Sequence, residues 1–306
     1  MQTTLKTPIS LDGVGLHTGR LARMRLSPAA ANYGIWFRRI DAAPGEDLIE
    51  ANWSTVVPSE LCTMVMNDAG VSVSTIEHVM AAIAGTGLHN VLVEVDGPEI
   101  PILDGSAVAI VRAILTSGLR SLSMHPRAIK VRKPVEIARG DATARLEPSS
   151  GFEIDFSIDF ADAAIGKQTL ELDMANGTFV HELCDSRTFC LKTEVDAMHA
   201  RGLALGGSLE NAVVYDAGEV LNPEGLRHSD EAVRHKMLDV VGDLALAGGP
   251  IIGRYIGAKA GHATTRALLA ELFADPSAYQ IIDCVGAQAA RLPGAGLTAS
   301  DFPKAA

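Results

Sequence analysis

The chain has 306 residues, 47% of them hydrophobic, which is enough for about two domains with buried cores. Its net charge of −11 argues against nucleic acid as the main partner. No apolar run is long enough to span a membrane, and the first residues contain no apolar core of a signal peptide. The cysteines lie far apart, without a CxxC pair, at Cys62, Cys184, Cys190 and Cys284. These features predict a cytoplasmic protein without stable membrane insertion.

The first half of the chain predicts an alternation of strands and helices. Short strands lead to a helix over about residues 74–84, whose apolar residues follow the spacing i, i+3, i+4, i+7. These residues are Ile76, Val79, Met80 and Ile83. A strand over residues 90–95 and a second helix over residues 107–116 are predicted to follow.

The second half repeats this order of elements. A boundary is predicted near residues 121–126, where a helical pattern ends and a strand-like pattern begins. Beyond it, strands lead to a helix over about residues 230–247, then to a strand over residues 251–256 and a helix over residues 263–273. The order strands, helix, strand, helix therefore occurs twice. It predicts an α+β protein in which two layers of helices meet face to face, with a cleft between them.

The helix over residues 230–247 contains the most informative pattern, a stripe of His235, Asp239 and Asp243. Residues four apart lie on one face of a helix, so these side chains are stacked. A histidine and an aspartate one turn apart can bind one metal ion, and the next aspartate can tune a neighbouring group. A solvated helix face often has the same spacing, so the stripe alone leaves both interpretations open.

The first-half helix offers Glu77 and His78 in adjacent positions. Ser74 and Glu77 have the spacing of a capping box, so a helix cap is one interpretation of Glu77. The other interpretation is a general base beside a metal ligand. Zinc in a hydrolase usually takes three N/O ligands and lowers the pKa of its water to about 7. His78, His235 and Asp239 would form such a set if the two helices face each other.

Two further histidines have a functional interpretation beside a structural one. His262 follows Gly261 at the start of the last helix. It is either a general acid that Asp243 keeps protonated or a residue bonded to solvent. His17 lies among the glycines of residues 13–19, which predict a tight turn with exposed backbone amides. A plain hairpin turn is the structural interpretation of that segment.

Eight segments occur in a characteristic order and spacing along the chain. They are Gly13–Gly19, Thr75–His78, Pro98–Ser106, Ser186–Phe189, Gly202–Asn211, Leu221–Leu226, Val233–Asp239 and Lys259–His262. Together they resemble the UDP-3-O-acyl-N-acetylglucosamine deacetylases, zinc amidases that catalyse the committed step of lipid A synthesis in Gram-negative bacteria. The resemblance extends from about Thr4 to Phe273, nearly the whole chain.

The resemblance implies a fold and a division into domains. Each of two domains would be a sheet packed on two helices, and the helices would face each other across the active-site cleft in a β-α-α-β sandwich. The N-terminal domain would comprise residues 1–124 and the C-terminal domain residues 125–285, with an acyl-passage insert at about residues 191–205. Residues 286–306 would form a flexible tail. The protein is expected to be a monomer that acts on a small-molecule UDP-acyl-sugar.

The resemblance also implies a role for each site residue. The ligands of Zn²⁺ would be His78, His235 and Asp239. The catalytic set would be Glu77 as general base, His262 as general acid, Asp243 as its orienting partner, and Thr188 and Lys236 beside the oxyanion. The substrate-binding set would be His17, Asp159, Phe160, Phe189 and Lys259. These roles meet the needs of amide hydrolysis: an activated water, a stabilised oxyanion and a protonated leaving nitrogen.

Two positions depart from the family pattern on the side that would bind the UDP group. Glu147 stands where the family usually has a basic residue, and Ala161-Asp162 replaces the usual continuation of a uridine-contacting pair. Lys259 and Arg145 could compensate for the missing positive charge. Two alternatives therefore stay open. One is a related deacetylase that acts on a different N-acetyl sugar, and the other is an inactive homologue that binds the nucleotide-lipid.

Overall fold

The computed structural model describes residues 1–302, which form strands and helices in mixed order. The strands of the first half are β1 (Thr3–Leu5), β2 (Ile9–Val14), β3 (Leu21–Pro28), β4 (Ile35–Arg39), β5 (Leu48–Glu50), β6 (Val56–Val57), β7 (Met64–Met66), β8 (Ser72–Ser74), β9 (Val91–Val95) and β10 (Leu119–Ser121). Its helices are α1 (Glu77–Gly85) and α2 (Val108–Ser117), with a 3₁₀ turn at Trp53–Thr55.

The second half has the same mixture of elements, which confirms the predicted α+β class. Its strands are β11 (Arg127–Val131), β12 (Val135–Arg139), β13 (Ala142–Glu147), β14 (Phe152–Asp159), β15 (Lys167–Asp173), β16 (Phe189–Leu191), β17 (Val213–Asp216), β18 (Glu219–Val220), β19 (Ile251–Ala258) and β20 (Tyr279–Asp283). Its helices are α3 (Lys192–Ala200), α4 (Glu231–Ala245), α5 (His262–Ala274) and α6 (Gly286–Ala289), with a π-helical turn at Phe179–Leu183 and a 3₁₀ turn at Ala299–Asp301.

Each half contains one large mixed sheet that buries one face. The first sheet has the order β2-β3-β9-β4-β5, and the second has the order β12-β13-β19-β11-β20, with β14 pairing with β19 and β15. Residues on β3 and β14 alternate between buried and more accessible positions, as expected for strands with one face on a core. The buried residues of β14 are Phe152, Ile154, Phe156 and Ile158. Helices α4 and α5 pack on the second sheet, and α2 packs on β2.

The two halves share a topology. Strand β9 follows α1 and lies antiparallel to β3 and parallel to β4. Strand β19 follows α4 and lies antiparallel to β13 and parallel to β14. Each of these central strands then leads to the next helix along the chain, α2 or α5. The repeated order of elements read from the sequence is therefore matched by a repeated strand pairing.

Helices α1 and α4 pack against each other and form the largest contact between helices of the two halves. The helices approach closely at Gly242, where a Cβ atom would overlap the carbonyl oxygen of Glu77. Glycine therefore lets the backbones touch at this position. Each helix brings predicted functional residues to this contact, Glu77 on α1 and Asp243, next to Gly242, on α4, as a face-to-face arrangement of helical layers requires.

The predicted divisions of the chain can be placed on these elements. The boundary between residues 124 and 125 lies in the loop between β10 and β11, and separate folding of the two domains stays a prediction. In the tail, Leu292 is buried, and the Asn176 side-chain amide donates hydrogen bonds to the carbonyl oxygens of Ala290 and Ala295. Flexibility of the tail stays a prediction, and its residues 303–306 lie outside the described residues. None of the helices within residues 1–302 is both long and apolar enough to cross a membrane.

Candidate metal centre and active site

His78, His235 and Asp239 meet at the crossing of α1 and α4. Each offers one ligand atom, and the three atoms lie within 4.8 Å of one another. Asp239 Oδ1 is 3.4 Å from His235 Nε2 and 3.8 Å from His78 Nε2. All three side chains are buried. The structure thus brings together the three residues that the sequence predicts as metal ligands, one from the first half and two from the second.

Hydrogen bonds orient two of these side chains. His235 Nδ1 donates to the carbonyl oxygen of Ser186 at 3.1 Å, which leaves the lone pair on Nε2. Lys236 Nζ donates to Asp239 Oδ2 at 2.8 Å, whereas Asp239 Oδ1 has no hydrogen-bond partner among residues 1–302. A buried carboxylate oxygen without a partner is costly unless a cation neutralises it. Two imidazole nitrogens and this oxygen are a donor set that fits a divalent metal ion.

The buried surroundings keep these groups in the protonation states that a metal requires. Burial and the neighbouring His235 lower the pKa of His78 to about 3. Burial also lowers the pKa of His235. Burial alone would raise the pKa of Asp239, but Lys236 and the surrounding histidines hold it well below its usual range. At neutral pH the cluster therefore consists of two neutral imidazoles and one carboxylate.

Glu77 is the first residue of α1 and lies beside the cluster. The capping-box interpretation is wrong, because Ser74 ends β8 and its hydroxyl donates to the carbonyl oxygen of Pro98 instead of to the helix. Glu77 Oε2 instead accepts a hydrogen bond from the backbone N–H of Thr63 at 2.9 Å. Burial raises the pKa of Glu77 to about 7, so this carboxyl group can accept and release a proton near neutral pH.

His262 is the first residue of α5 and completes the group. Its Nδ1 is 2.9 Å from Asp243 Oδ2, and its Nε2 is 3.9 Å from Glu77 Oε1 and 3.9 Å from Asp239 Oδ2. Burial alone would lower the pKa of His262, but the charges of Asp243 and Asp239 raise it to about 9. His262 is therefore protonated at neutral pH, and Asp243 is its partner, as the sequence predicts.

The comparisons with known proteins agree with this geometry. A family model described as UDP-3-O-acyl N-acetylglycosamine deacetylase matches residues 2–274. A curated protein from Phenylobacterium zucineum (strain HLK1), named UDP-3-O-acyl-N-acetylglucosamine deacetylase, is 48% identical over 280 residues, which cover 92% of this chain and 96% of that protein. The chain belongs to this deacetylase family. The family resemblance predicted from the sequence is thus confirmed.

Other relatives have the same name and similar coverage. The protein from Anaeromyxobacter dehalogenans (strain 2CP-C) is 45% identical over 285 residues, covering 93% of this chain and 91% of that protein. The protein from Photobacterium profundum is 43% identical over 281 residues, covering 91% of this chain and 92% of that protein. Each of these matches covers more than nine tenths of this chain.

Beside the metal cluster of this family member, aromatic rings form a continuous row. The ring of Phe189 lies edge-on to His235, with centroids 6.2 Å apart, and edge-on to Phe160 at 5.5 Å. Thr188, the residue before Phe189, is held by backbone hydrogen bonds with Gly105 and Val213, each 2.8 Å long. The predicted acyl contact Phe189 therefore touches the ligand His235 and the predicted uridine contact Phe160. The predicted oxyanion residue Thr188 is next to Phe189 in the chain.

Charged side chains surround the predicted nucleotide contacts. Lys259 Nζ lies 3.4 Å from Asp159 Oδ2 and 3.0 Å from Asp141 Oδ2, so two of the predicted substrate residues are in contact. Arg145, the other expected compensating residue, donates to Glu147 at 3.2 Å and to Glu136 at 3.0 Å. The charge of Glu147 is thus partly neutralised by a residue two positions away on the same strand.

The second departure from the family pattern, Asp162, closes a turn. Its Oδ1 accepts from the backbone N–H of Ala164 at 2.9 Å, and its Oδ2 accepts from that of Gly218 at 3.2 Å. Asp162 therefore fixes the connection between β14 and β15 and joins it to the turn between β17 and β18. The connection between β14 and β15 begins at Phe160.

The hydrogen bonds of His17 are made with the first half of the chain and with the insert. It is in the turn between β2 and β3, as the hairpin interpretation predicts, and its backbone N–H donates to Glu99 Oε1 at 2.8 Å. Its carbonyl oxygen accepts from the N–H of Leu205 at 3.2 Å, and its Nδ1 lies 3.4 Å from the N–H nitrogen of Ala204. Among the contacts of the described chain, His17 joins the first half to the insert, and a role in substrate binding stays a prediction.

Sequence reasoning missed the residues that hold the site together. Arg187 is 1% exposed and donates to Glu231 Oε1 at 2.8 Å, which fixes the segment between Ser186 and Thr188. Thr63 contacts both Glu77 and Asp243. Arg187 lies within Ser186–Phe189, a segment that carries the family resemblance, and this position is the sequence signal that could have identified it. Nothing in the sequence around Thr63 marks it, because its partners are 14 and 180 residues away.

Proposed function

We propose that this chain is a zinc-dependent hydrolase that removes the N-acetyl group from UDP-3-O-(3-hydroxyacyl)-N-acetylglucosamine and releases acetate. This reaction is the committed step of lipid A biosynthesis. The observation that carries the proposal is the buried His78, His235 and Asp239 cluster with a base and an acid 3.9 Å apart beside it. The relatives of the chain bear the name of this deacetylase.

Zinc fits the donor set of two imidazoles and one carboxylate, with a coordination position left for water. When bound, zinc supplies a Lewis acid that makes a water molecule more acidic and draws charge from the amide carbonyl. The residues that would hold it are His78, His235 and Asp239. An N/N/O set also accepts ferrous iron, so zinc is our choice on ligand chemistry and on the resemblance.

Glu77 and His262 divide the proton transfers between them. Glu77, with its pKa raised to about 7 by burial, takes a proton from the attacking water as the C–O bond forms. His262 gives its Nε2 proton to the sugar nitrogen as the C–N bond breaks, because Asp243 already occupies Nδ1. The amine leaves in neutral form, and the acetyl group leaves as acetic acid, which gives its remaining proton to water and becomes acetate. The proton on Glu77 returns to His262 Nε2, 3.9 Å away, before the next turnover.

Negative charge on the carbonyl oxygen needs donors in fixed positions. We assign this task to the Thr188 hydroxyl and the Lys236 ammonium. The backbone of Thr188 is fixed on both sides by 2.8 Å hydrogen bonds, and Lys236 is held by Asp239 at 2.8 Å. Preorganised donors of this kind contribute most when they do not have to move during the reaction.

The aromatic row and the insert provide surfaces for the rest of the substrate. We propose that Asp159, Phe160 and Lys259 bind the UDP group, and that Phe189 and the insert contact the acyl chain. Leu205 at the end of the insert and Leu209 just after it are exposed, and their side chains would lose water on contact with an acyl chain. Each methylene buried in this way contributes about 0.8 kcal/mol.

The compartment and the assembly state are part of the proposal. All four cysteines of the described chain are free thiols, as expected in a reducing compartment, so we propose the cytoplasm. We expect a monomer, because the proposed site is built from one chain.

Acetate release by the purified full chain tests the proposal. We expect release from the UDP-acyl substrate that stops when the metal is removed and returns with one equivalent of zinc, measured together with metal content. The matched substrate lacks the UDP group and should react more slowly. A Lys259→Ala variant should raise KM for the UDP substrate and leave KM for the truncated substrate unchanged. Acetate release that survives metal removal would contradict the proposal.

Glu147 favours one second candidate, a deacetylase for a different N-acetyl sugar. Its carboxylate stands where a basic residue would meet a diphosphate, and Arg145 is already engaged by it and by Glu136. Equal rates on the substrates with and without UDP would support this candidate. A chain that binds the UDP-acyl sugar but neither retains metal nor releases acetate would instead be an inactive homologue.

A further inference from the structure

Thr63 contacts two carboxylates that the proposed mechanism uses in different steps. Its backbone N–H donates to Glu77 Oε2 at 2.9 Å, and its hydroxyl donates to Asp243 Oδ1 at 2.6 Å. The residue is 5% exposed and lies just before β7. One residue outside the helices therefore holds a carboxylate on α1 and a carboxylate on α4.

The position of Thr63 is itself fixed. Its carbonyl oxygen accepts a hydrogen bond from the N–H of Ile76 at 3.2 Å, directly before α1 begins. Glu77 follows Ile76, and Gly242 lets α4 approach Glu77 beside Asp243. Thr63 is thus anchored through its backbone to the segment just before α1, and its side chain contacts α4.

The hydroxyl of Thr63 fixes the orientation of the Asp243 carboxylate toward His262. Asp243 has two oxygens: Oδ1 accepts from Thr63, and Oδ2 pairs with His262 Nδ1 at 2.9 Å. With both oxygens engaged, the carboxylate has one orientation, and the imidazole is fixed with Nε2 toward Glu77. Without the hydroxyl, Oδ1 would be a buried acceptor lacking its partner, and rotation of the carboxylate would no longer be opposed.

We propose that Thr63 is a positioning residue that holds the general base and the general acid in a fixed mutual geometry, acting through Glu77 and Asp243. The inference rests on the proposed function, because it assigns Thr63 a part in the same reaction. It goes beyond that function because it assigns the geometry of the base and the acid to a residue in a loop, outside the helices α1, α4 and α5 that carry Glu77, Asp243 and His262. A displacement of about 1 Å in a reacting group can lower the rate about 100-fold.

Two substitutions at Thr63 separate the hydroxyl from the rest of the residue. Thr63→Val keeps the shape and the N–H to Glu77 but removes the bond to Asp243, whereas Thr63→Ser keeps both donors. We expect Thr63→Val to lower kcat about 10- to 100-fold with KM and bound metal unchanged. Thr63→Ser should restore most of kcat. A residue with a purely structural role would lose stability or metal without this split between kcat and KM.

Thr86 offers a matched control at the other end of α1. It is fully buried, and its hydroxyl donates to the carbonyl oxygen of Ala82 at 2.7 Å, away from the charged groups. Thr86→Val therefore removes a buried hydroxyl of the same kind and should keep the wild-type kcat. If Thr63→Val does not fold, Thr63→Ala serves as the second variant, because it also keeps the N–H and lacks the hydroxyl.

A double-mutant cycle with Asp243→Ala tests whether Thr63 acts through Asp243. In the Asp243→Ala background, Thr63→Val should add little further loss of kcat, because the acceptor is already absent. Additive losses, a wild-type kcat in Thr63→Val, or no rescue by Thr63→Ser would each overturn the inference while wild-type acetate release upholds the proposed function. Wild-type protein that releases no acetate would refute the proposed function and this inference with it.

Discussion

Glu77 Oε1 and His262 Nε2 lie 3.9 Å apart, although the two residues begin different helices in different halves of the chain. Each side chain is held from its far side, Glu77 by the N–H of Thr63 and His262 by Asp243. Both pKa values are raised, that of Glu77 by burial and that of His262 by carboxylate charge. The pair therefore has the protonation states of a base and an acid near neutral pH.

Replacing Glu77 with Gln should separate metal binding from turnover. The amide keeps the size of the side chain and can still accept from Thr63, but it cannot take a proton from water. Because general base catalysis contributes about 100-fold or more, we expect kcat to fall by at least that factor. The ligands His78, His235 and Asp239 are untouched, so the metal content should equal that of wild type.

Kinetics and metal analysis on the same preparation of Glu77→Gln check this result. His78→Ala is the matched variant, since it should lose both metal and turnover. Wild-type rates in Glu77→Gln would remove Glu77 from the role of base.

The rate should depend on pH with two limbs. At low pH Glu77 is protonated and cannot act as base, so kcat/KM rises as Glu77 loses its proton. At high pH His262 loses its proton and cannot act as acid, so kcat/KM falls. In the metal-free protein the pKa of Glu77 is about 7 and that of His262 about 9. A bound cation adds positive charge and moves both limbs to lower pH.

Asp243→Asn assigns the alkaline limb. The substitution removes the negative charge that raises the pKa of His262, so the falling limb should move to lower pH. The rising limb, which belongs to Glu77, should move much less. Initial rates across the pH range, at substrate concentrations well below KM, give both limbs. An alkaline limb that stays in place would show that His262 is not the acid.

The sequence predicted those parts of the site that depend on local spacing. The stripe of His235 and Asp239 followed from residues four apart on a helix, and α4 begins and ends within two residues of its predicted limits. The juxtaposition of His78 with this stripe depends on the packing of two helices from different halves. No local pattern encodes that contact. The repeated order of elements allowed it only on the condition that the two helices face each other, and the family resemblance then implied the ligand set.

The structure alone gave the contacts that join distant segments. The capping-box interpretation of Glu77 failed because the β8 strand continues through Ser74 and delays the start of α1 until Glu77. Thr63 and Arg187 have partners far along the chain, so their spacing carries no signal. Local patterns predict long periodic helices such as α4, whereas hydrogen bonds between buried side chains depend on the final packing.

Gly242→Ala should push α1 and α4 apart. A Cβ atom at this position would overlap the carbonyl oxygen of Glu77, a backbone atom that cannot turn aside. Alanine favours helix more than glycine does, but overpacking at this contact should cost about 1–3 kcal/mol of stability. Metal affinity should also fall, because His78 lies on one helix and the other two ligands on the second.

Chemical denaturation and a metal titration measure the two effects of Gly242→Ala. Gly97→Ala is the control, because a Cβ atom there meets nothing within 4 Å and its stability and metal affinity should match wild type. Stability and metal affinity equal to wild type in Gly242→Ala would show that the helices do not need this close contact.

Glu231→Gln should destabilise the protein through the buried Arg187. Both side chains are 1% exposed, and Arg187 donates to Glu231 through Nε at 2.8 Å and through its backbone N–H at 3.0 Å. Removing the carboxylate leaves a buried guanidinium with less compensation, which should cost about 3 kcal/mol in the free energy of unfolding. The control is Glu224→Gln, which removes the other carboxylate that pairs with Arg187. The Glu224 side chain is 55% exposed, so its replacement should cost much less.

The loss in Glu231→Gln should also depend on pH. Burial alone would raise the pKa of Glu231, but hydrogen bonds and the charge of Arg187 hold it below its usual range. A carboxyl group whose pKa is lower in the folded state contributes stability above its unfolded pKa, and this is lost as the pH falls through the folded pKa. The difference in unfolding free energy between wild type and Glu231→Gln should therefore be full at neutral pH and shrink in acid. Denaturant titrations at both pH values measure it, and a difference that grows in acid would mean that Glu231 is not held ionised by Arg187.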